Sequence, residues 1–500
     1  MHKGTFATFY RITRWLALRA VFVLLIICVV AAVAWTYFNI KLGRQLEAEL
    51  ARLRASGAPL TLAQAAPKPV PESENAAVLY QKVFGVRFPR DTTPEHPLAN
   101  MSTDERTLID AYGGGSTPPG IVTDVTRDES GTVTVRQGPE KPPSRSEVDA
   151  RVAALLEKPN VVDALAVLRK ASEMPHCVFP VDWAAGPAAL FPHLTEFRAA
   201  ARLVCAQARL TAGQGDVDAA LDWCMIALRM SEQAAVEPTL AAQLVCVAMQ
   251  GTAFSAMQSI LSSSTPSAQA AARLDEYLGR LDLTGGFVRG LEGERACVLG
   301  ALTMRVGFDV AALAQLAAEV WPNGAKALWF RAYGRIYCSP LGAPLRKAEE
   351  IIYLKYMGEQ TKTAPLPYRE TKPGVEAAEW EVAKAPVYPG VIARSILPTY
   401  APAAAMRDKG IVQIAECRIV LALKGYKQQH RAYPANLADL QATLDRPLPL
   451  DPFSGKDFIY RTEDRGFILY SVGRDLKDDQ GQAPTPETHG AGDIVWTCEQ

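Results

Sequence analysis

From Ala20 to Ile40 the chain runs for twenty-one residues without a charged side chain, and it includes the unbroken apolar stretch Val21-Phe22-Val23-Leu24-Leu25-Ile26-Ile27-Cys28-Val29-Val30. At a rise of about 1.5 Å per residue, a helix of this length spans roughly the 30 Å hydrocarbon core of a bilayer. Trp15 at one end and Trp35, Tyr37 and Phe38 at the other suit the two interfaces. Two other fates compete. The triplet Ala32-Val33-Ala34 has the small-residue form of a signal-peptide cleavage site, and a run of this kind can also be a buried core helix. The charge-free stretch is longer than a usual signal-peptide core, which favours an anchor over residues 15–40. Positive residues flank both ends (Lys3, Arg11, Arg14 and Arg19 before; Lys41 and Arg44 after), so their count does not choose a side. The short acid-free tail, 1–14, and the long chain that follows favour a cytoplasmic N-terminus and an exported bulk, periplasmic or otherwise extracytoplasmic.

Five hundred residues exceed what one hydrophobic core organises, so two or three domains are expected. The 53 basic and 53 acidic residues cancel, which removes the electrostatic case for a nucleic-acid partner. The charge is nonetheless uneven, with ten acids against five bases in residues 451–500. None of the nine cysteines stands in a CxxC pair, which argues against a zinc ribbon or thioredoxin-like site. Most fall on apolar helical stretches and are expected to act as small buried hydrophobes, with room for some disulfides in an exported domain.

Residues 41–90 read as a stalk, a proline spacer at Pro67-Lys68-Pro69-Val70-Pro71, and a first helix around Asn75-Ala76-Ala77 to Phe84. Residues 91–143 are polar and read as an irregular loop with one hairpin, Ile121-Val122-Thr123 paired with Thr132-Val133-Thr134-Val135. Residues 144–362 read as a helical domain. Ser146 with Asp149 suggests a capping box, and Pro159 the end of that helix. The stretch from Thr195 to Met230 reads as a helical hairpin turning at Gly213-Gln214-Gly215-Asp216. Its second helix carries Ala219, Ala220, Trp223, Ala227 and Leu228, and the small residues where helices cross, with Gly-Asp at the turn, resemble a single tetratricopeptide-type unit. No second copy follows at a period of about 34 residues. Residues 363–402 hold seven prolines and read as a linker before the last segment, 403–500.

Motif chemistry is sparse. Gly113-Gly114-Gly115-Ser116 lacks the leading strand and the following lysine of a phosphate loop, and Pro118-Pro119 blocks the helix that would hold a phosphate. The six histidines are scattered, with no HExxH and no GxSxG serine. His176 beside Cys177 invites a nucleophile reading, but adjacent residues rarely point at each other. Glu292 and Glu294, two apart on a helix, face different ways.

The last segment has a stronger pattern. An amphipathic helix over 403–430 carries Ile411, Ile414, Ile419, Leu423 and Tyr426. It is followed by Tyr433-Pro434, by Leu437 and Leu440, and by Leu448-Pro449-Leu450-Asp451-Pro452-Phe453. Strand-like Phe458-Ile459-Tyr460, then Ser471-Val472-Gly473-Arg474-Asp475, then Asp493-Ile494-Val495-Trp496 complete the series. This succession resembles the globular part of the major pseudopilin of type II secretion. The likeness covers roughly the last 100 residues and rests on seven elements in the same order, though no Gly-Phe-Thr-x-x-Glu processing site precedes the chain's hydrophobic helix. Together with Asn75-Ala76-Ala77…Tyr80 and the helical middle, it also resembles a group of anchored bacterial envelope proteins that brings no known activity with it. The pseudopilin resemblance implies a calcium loop here, with Asp475 and Asp493 as matching ligands and Asp478 and Asp479 as further oxygen donors. Calcium takes six to eight oxygens, so an acid-rich loop is chemically apt. Leu476 stands where that family has glycine.

The expectation is therefore an α+β protein. A transmembrane helix leads to a mainly helical middle with a tetratricopeptide-like hairpin, then to a small pseudopilin-like module of one helix against an antiparallel sheet. The favoured role is structural or interactive, secretion- or pilus-related, toward an envelope protein partner. The alternative is an exported hydrolase whose site is assembled from distant residues of the helical domain.

Overall fold

The computed structural model describes residues 3–87, 91–92, 101–114, 124–127, 133–136, 144–304, 333–374, 377, 401–463, 466–485 and 491–499. The main helices are α1 (Lys3–Ala55), α2 (Leu62–Ala65), α3 (Ala76–Phe84), α4 (Thr103–Gly114), α5 (Arg145–Leu156), α6 (Pro159–Ser172) and α7 (His193–Gly213). They continue as α8 (Val217–Ala234), α9 (Leu240–Ser263), α10 (Ala268–Leu278), α11 (Leu283–Met304), α12 (Ala343–Thr363), α13 (Ala401–His430) and α14 (Leu437–Gln441). Two short antiparallel pairs, β1 (Val86–Arg87) with β2 (Asp91–Thr92) and β3 (Asp124–Arg127) with β4 (Val133–Arg136), precede a C-terminal sheet of β5 (Ile459–Glu463), β6 (Gly466–Ser471) and β7 (Ile494–Glu499). The chain divides into two units, one of Met1–Thr61, Arg295–Glu359 and Lys384–Leu397, the other of Leu62–Glu294, Gln360–Ala383 and Pro398–Gln500.

In the first unit, the apolar run and the stalk form one helix rather than two. α1 continues through the Ala32-Val33-Ala34 triplet and stops only at a glycine cap, where Gly57 takes φ 73°. There the Ala58 N–H reaches back to the Leu53 carbonyl and the Gly57 N–H to that of Arg54, both at 3.1 Å, satisfying carbonyls that a helix end leaves bare. Along the apolar run the side chains lie uncovered, Phe22 at 64% and Val33 at 65% exposure. Past the run, α12 holds the helix. Lys347 donates to the carbonyl and the side-chain oxygen of Asn39, and Trp35 donates to the Leu341 carbonyl just before α12.

The second unit is built on the α7–α8 hairpin. Gly215 takes φ 94° in its turn, and Asp216 caps α8 by accepting from the Ala219 N–H. α9, which has no charged residue, packs on α7 and α8 and also meets α13 and β7. Tyr80, Phe84 and Phe197 interlock in its core with centroids 4.8 to 5.3 Å apart. Three local readings are corrected. The capping box belongs to Ser144 and Glu147, because the chain turns helical at Arg145, one residue before Ser146. Pro159 opens α6 as its first residue, where its missing N–H costs nothing, and the preceding helix ends at Leu156. Residues 91–143 are not only loop: α4 lies within them and buries Leu108, Ile109 and Tyr112. The first glycines of the 113–116 run close that helix. A side chain at Gly113 would stand 2.1 Å from the Arg202 carbonyl oxygen, so glycine is what lets α4 cross α7. The hairpin pairs Val125 with Val135, so its first strand lies later than Ile121-Val122-Thr123, which falls outside the described residues. The proline-rich stretch over 378–400 also falls outside them.

The C-terminal sheet runs β5-β6-β7, antiparallel throughout, with Leu469 opposite Trp496. It shares its core with the helical middle. α13 lies between sheet and α9, and the outer edge of β7 is closed by α9, whose Gln258 and Ser262 donate to the Val495 and Thr497 carbonyls. Asp275 of α10 receives both Arg418 at 2.9 Å and Arg446 at 2.5 Å.

Candidate functional site

The acidic loop is a folded turn rather than an open cage. Asp493 is fully buried, and its two oxygens accept the N–H groups of Gly481 at 2.7 Å and Asp479 at 3.3 Å. Burial raises its pKa, and these two hydrogen bonds oppose the rise. Asp478 accepts from the Tyr470 hydroxyl and the Gln480 N–H, and Asp475 from the Lys477 N–H. Leu476 holds φ 67°, a left-handed conformation that glycine would adopt freely. Among the described residues no three His, Cys, Asp or Glu side chains converge as metal ligands. The most buried of the four aspartates, Asp493, thus gives its oxygens to the loop's own N–H groups, and residues 486–490 of the same loop lie outside the described residues.

His176 and Cys177 point apart. His176 lies outward, 4.0 Å from Glu74, while Cys177 is buried within the field of Glu237, which pairs with a histidine that the sequence does not advertise. His193 meets Glu237 at 2.6 Å, both nearly fully buried, and stacks on Phe179 at 4.0 Å. Burial, reinforced by Glu237, pushes the Cys177 thiol well up, so this cluster holds a neutral thiol and serves packing.

A hollow of about 240 Å³ in the second unit lies among α9, the start of α11 and α13. Glycine spacing on α11 makes it. A side chain at Gly293 would lie 1.6 Å from the Pro238 carbonyl oxygen, and one at Gly290 would lie 2.5 Å from Gln243, so α11 rests directly on the start of α9. That approach brings Leu283 and Phe287 opposite Leu240, Gln243 and Val247. Arg407 closes one side, sealed by Asp408 at 2.5 Å and by the Ala364 and Leu366 carbonyls, with Phe287 beneath it at 5.5 Å. Gln250, also in the lining, is 1% exposed, and among the described residues neither its nitrogen nor its oxygen has a hydrogen-bond partner. At the rim Leu244 and Met406 are each 38% exposed.

The hollow's one thiol, Cys246, is pushed up to about 12 by burial. Its Glu232 is exposed and already accepts the Tyr277 hydroxyl at 2.5 Å. No nucleophile stands beside a free base there among the described residues. Sequence reasoning missed the hollow because its walls come from residues 232 to 407; the Gly285-Gly286…Gly290…Gly293 spacing was the one local signal. Compared with family models, with curated proteins and with solved structures, the chain has no match in any of the three.

Proposed function

We propose that the protein is a single-pass, membrane-anchored envelope protein that works by binding a partner, with its second unit on the extracytoplasmic side. The observation that carries this reading is the uncovered apolar run of α1, which no other part of the described chain buries. Exposed apolar surface on that scale needs a bilayer or a partner. Helical continuity through Ala32-Val33-Ala34 favours an anchor over a cleaved signal, because a peptidase takes extended chain. The tetratricopeptide-like hairpin and the pseudopilin-like tail, with a secretion- or pilus-related role, belong to the same reading. An exported hydrolase is the second reading, and the neutral thiol and engaged glutamate of the hollow weigh against it.

The test is topological. A periplasmic reporter fused after Gln500 should be active, and the chain should stay in the membrane after carbonate wash. Release of a chain beginning near Trp35 would replace the anchor by a signal peptide.

A further inference from the structure

Beside the hollow of the second unit lies a second one of about 380 Å³, floored by Met225 and Ile226 of α8 and walled by α6 and α10. Arg280 lines both, and the Glu232–Tyr277 hydrogen bond stands at their junction, with Glu232 on one side and Tyr277 on the other. The two are adjoining parts of one groove with different chemistry. The first is mainly apolar. The second gathers four arginines, Arg169, Arg229, Arg273 and Arg280, against three acids, Glu173, Asp222 and Glu276, and Arg229 also lies near Glu232.

These arginines are not equivalent. Arg273 meets Asp222 at 3.0 Å and Arg280 meets Glu276 at 3.4 Å. Among the described residues Arg169 and Arg229 are in no ion pair. Each instead lies over an aromatic face, Arg169 on Trp223 at 4.2 Å and Arg229 on Tyr277 at 5.6 Å. An aromatic face holds a guanidinium in place while leaving its N–H edge open, and that edge matches a carboxylate. In the apolar part, the buried Gln250 amide has neither a donor nor an acceptor among the described residues, and groups of that kind are normally satisfied. A peptide main chain offers one N–H and one C=O side by side.

Resting on the reading of the protein as a partner-binding one, we propose that this groove takes a short extended peptide segment of the partner, with acidic residues followed by a large apolar residue. The carboxylates meet Arg169 and Arg229, the apolar side chain enters between Phe287 and Val247, and the main chain between them runs past Glu232 toward Gln250. Small dicarboxylates lack the apolar end. Acidity and apolarity are both required, and their order along the segment is set by the order of the two hollows.

The test uses the full chain in a nonionic detergent and a fluorescein-labelled peptide, Glu-Asp-Glu-Asp-Leu-Phe, read by anisotropy. Saturable binding at about micromolar concentration is expected, weakened roughly tenfold or more in the Arg169→Ala/Arg229→Ala double variant. Val247→Trp, which fills the apolar hollow, should weaken the same peptide but not a version with Ser in place of Leu and Phe. Circular dichroism and melting temperature of the arginine variant should match the parent. Absence of saturable binding, or binding indifferent to both arginines, would overturn the proposal. Competition by succinate at the peptide's own potency would reassign the groove to small dicarboxylates and overturn it too. Because the assay contains no bilayer, loss of the anchor reading leaves its outcome untouched, and a retained but non-binding chain overturns the groove alone.

Discussion

α1 and α9 are alike in composition and opposite in circumstance. Each contains a charge-free stretch long and apolar enough to cross a membrane, yet none of that stretch is buried in α1 and half of it is in α9. The difference lies in what punctuates the apolar residues. α1 between Val21 and Val30 carries only large apolar side chains and Cys28. α9 interleaves Gln243, Gln250, Gln258 and Ser262 with Ala242, Ala253 and Ala256. The alanines let helices approach closely, and three of the polar groups find partners, Gln243 on the Ala235 carbonyl and Gln258 and Ser262 on β7. Absence of charge marks an apolar surroundings; small residues and placed amides tell a protein interior from lipid.

Four changes would break or sharpen that contrast. The largest effect is expected from Leu25→Arg with Ile26→Arg, each costing about 2.5–3.5 kcal/mol at the centre of a spanning helix. The chain should leave the carbonate-resistant membrane fraction, and retention there would show that α1 is held by protein contacts. Phe254→Ala in α9, where the ring is 2% exposed, should lower the stability of the second unit by about 3–5 kcal/mol. Chemical denaturation would read that loss, with membrane retention unchanged; the reverse pattern would make α9 a second span. Gln250→Leu removes an amide with no partner while keeping its bulk, and should raise stability by about 1 kcal/mol. A fall of that size would mean that the amide is satisfied in solution.

The smallest and most specific change concerns Glu416, on the helix that packs along α9. Burial raises its carboxyl pKa well above the usual range, Asp451 adds to the rise, and Lys409 opposes it. A carboxyl raised in the folded state contributes stability that is fully present below its unfolded value, about 4.3, and is lost as pH climbs through the folded value. Glu416→Gln should therefore flatten the decline in melting temperature above about pH 4.3, with its largest stabilisation at alkaline pH. Parallel melting curves for parent and variant across that range would contradict a neutral Glu416.

Much of the local structure was legible in the residues. The α7–α8 turn could be placed from Gly213-Gln214-Gly215-Asp216, because Gly215 needs a left-handed φ and Asp216 caps the helix after it. The long helix, short helix and strands of the C-terminal segment could be read from their periodicity. Other local signals misled for physical reasons. Ser144 and Ser146 both have an acid three residues on, and helix entry at Arg145 chose between them. The 91–143 stretch looked irregular because α4 has too few apolar residues to stand out, yet α7 covers the ones it has. Of the acidic loop, the aspartates were visible and their use was not: whether a carboxylate meets a cation or its own loop's N–H groups depends on backbone that closes around Asp493.

By itself the sequence determined what depends on neighbours a few residues away: the continuous apolar run of α1, the α7–α8 turn with its Asp216 cap, and the order of helices and strands in the C-terminal segment. Only the tertiary structure decided which apolar helix is covered, that β7 finds its edge partner on α9, and that Arg169, Arg229, Gln250 and Arg407 line one groove. Propensity and periodicity act over one or two turns of chain, whereas burial and convergence are set by contacts between residues tens to hundreds of positions apart. Those contacts form where Gly113, Gly290 and Gly293 let backbones touch, and nothing beside these glycines in the chain names the carbonyl or side chain each will meet.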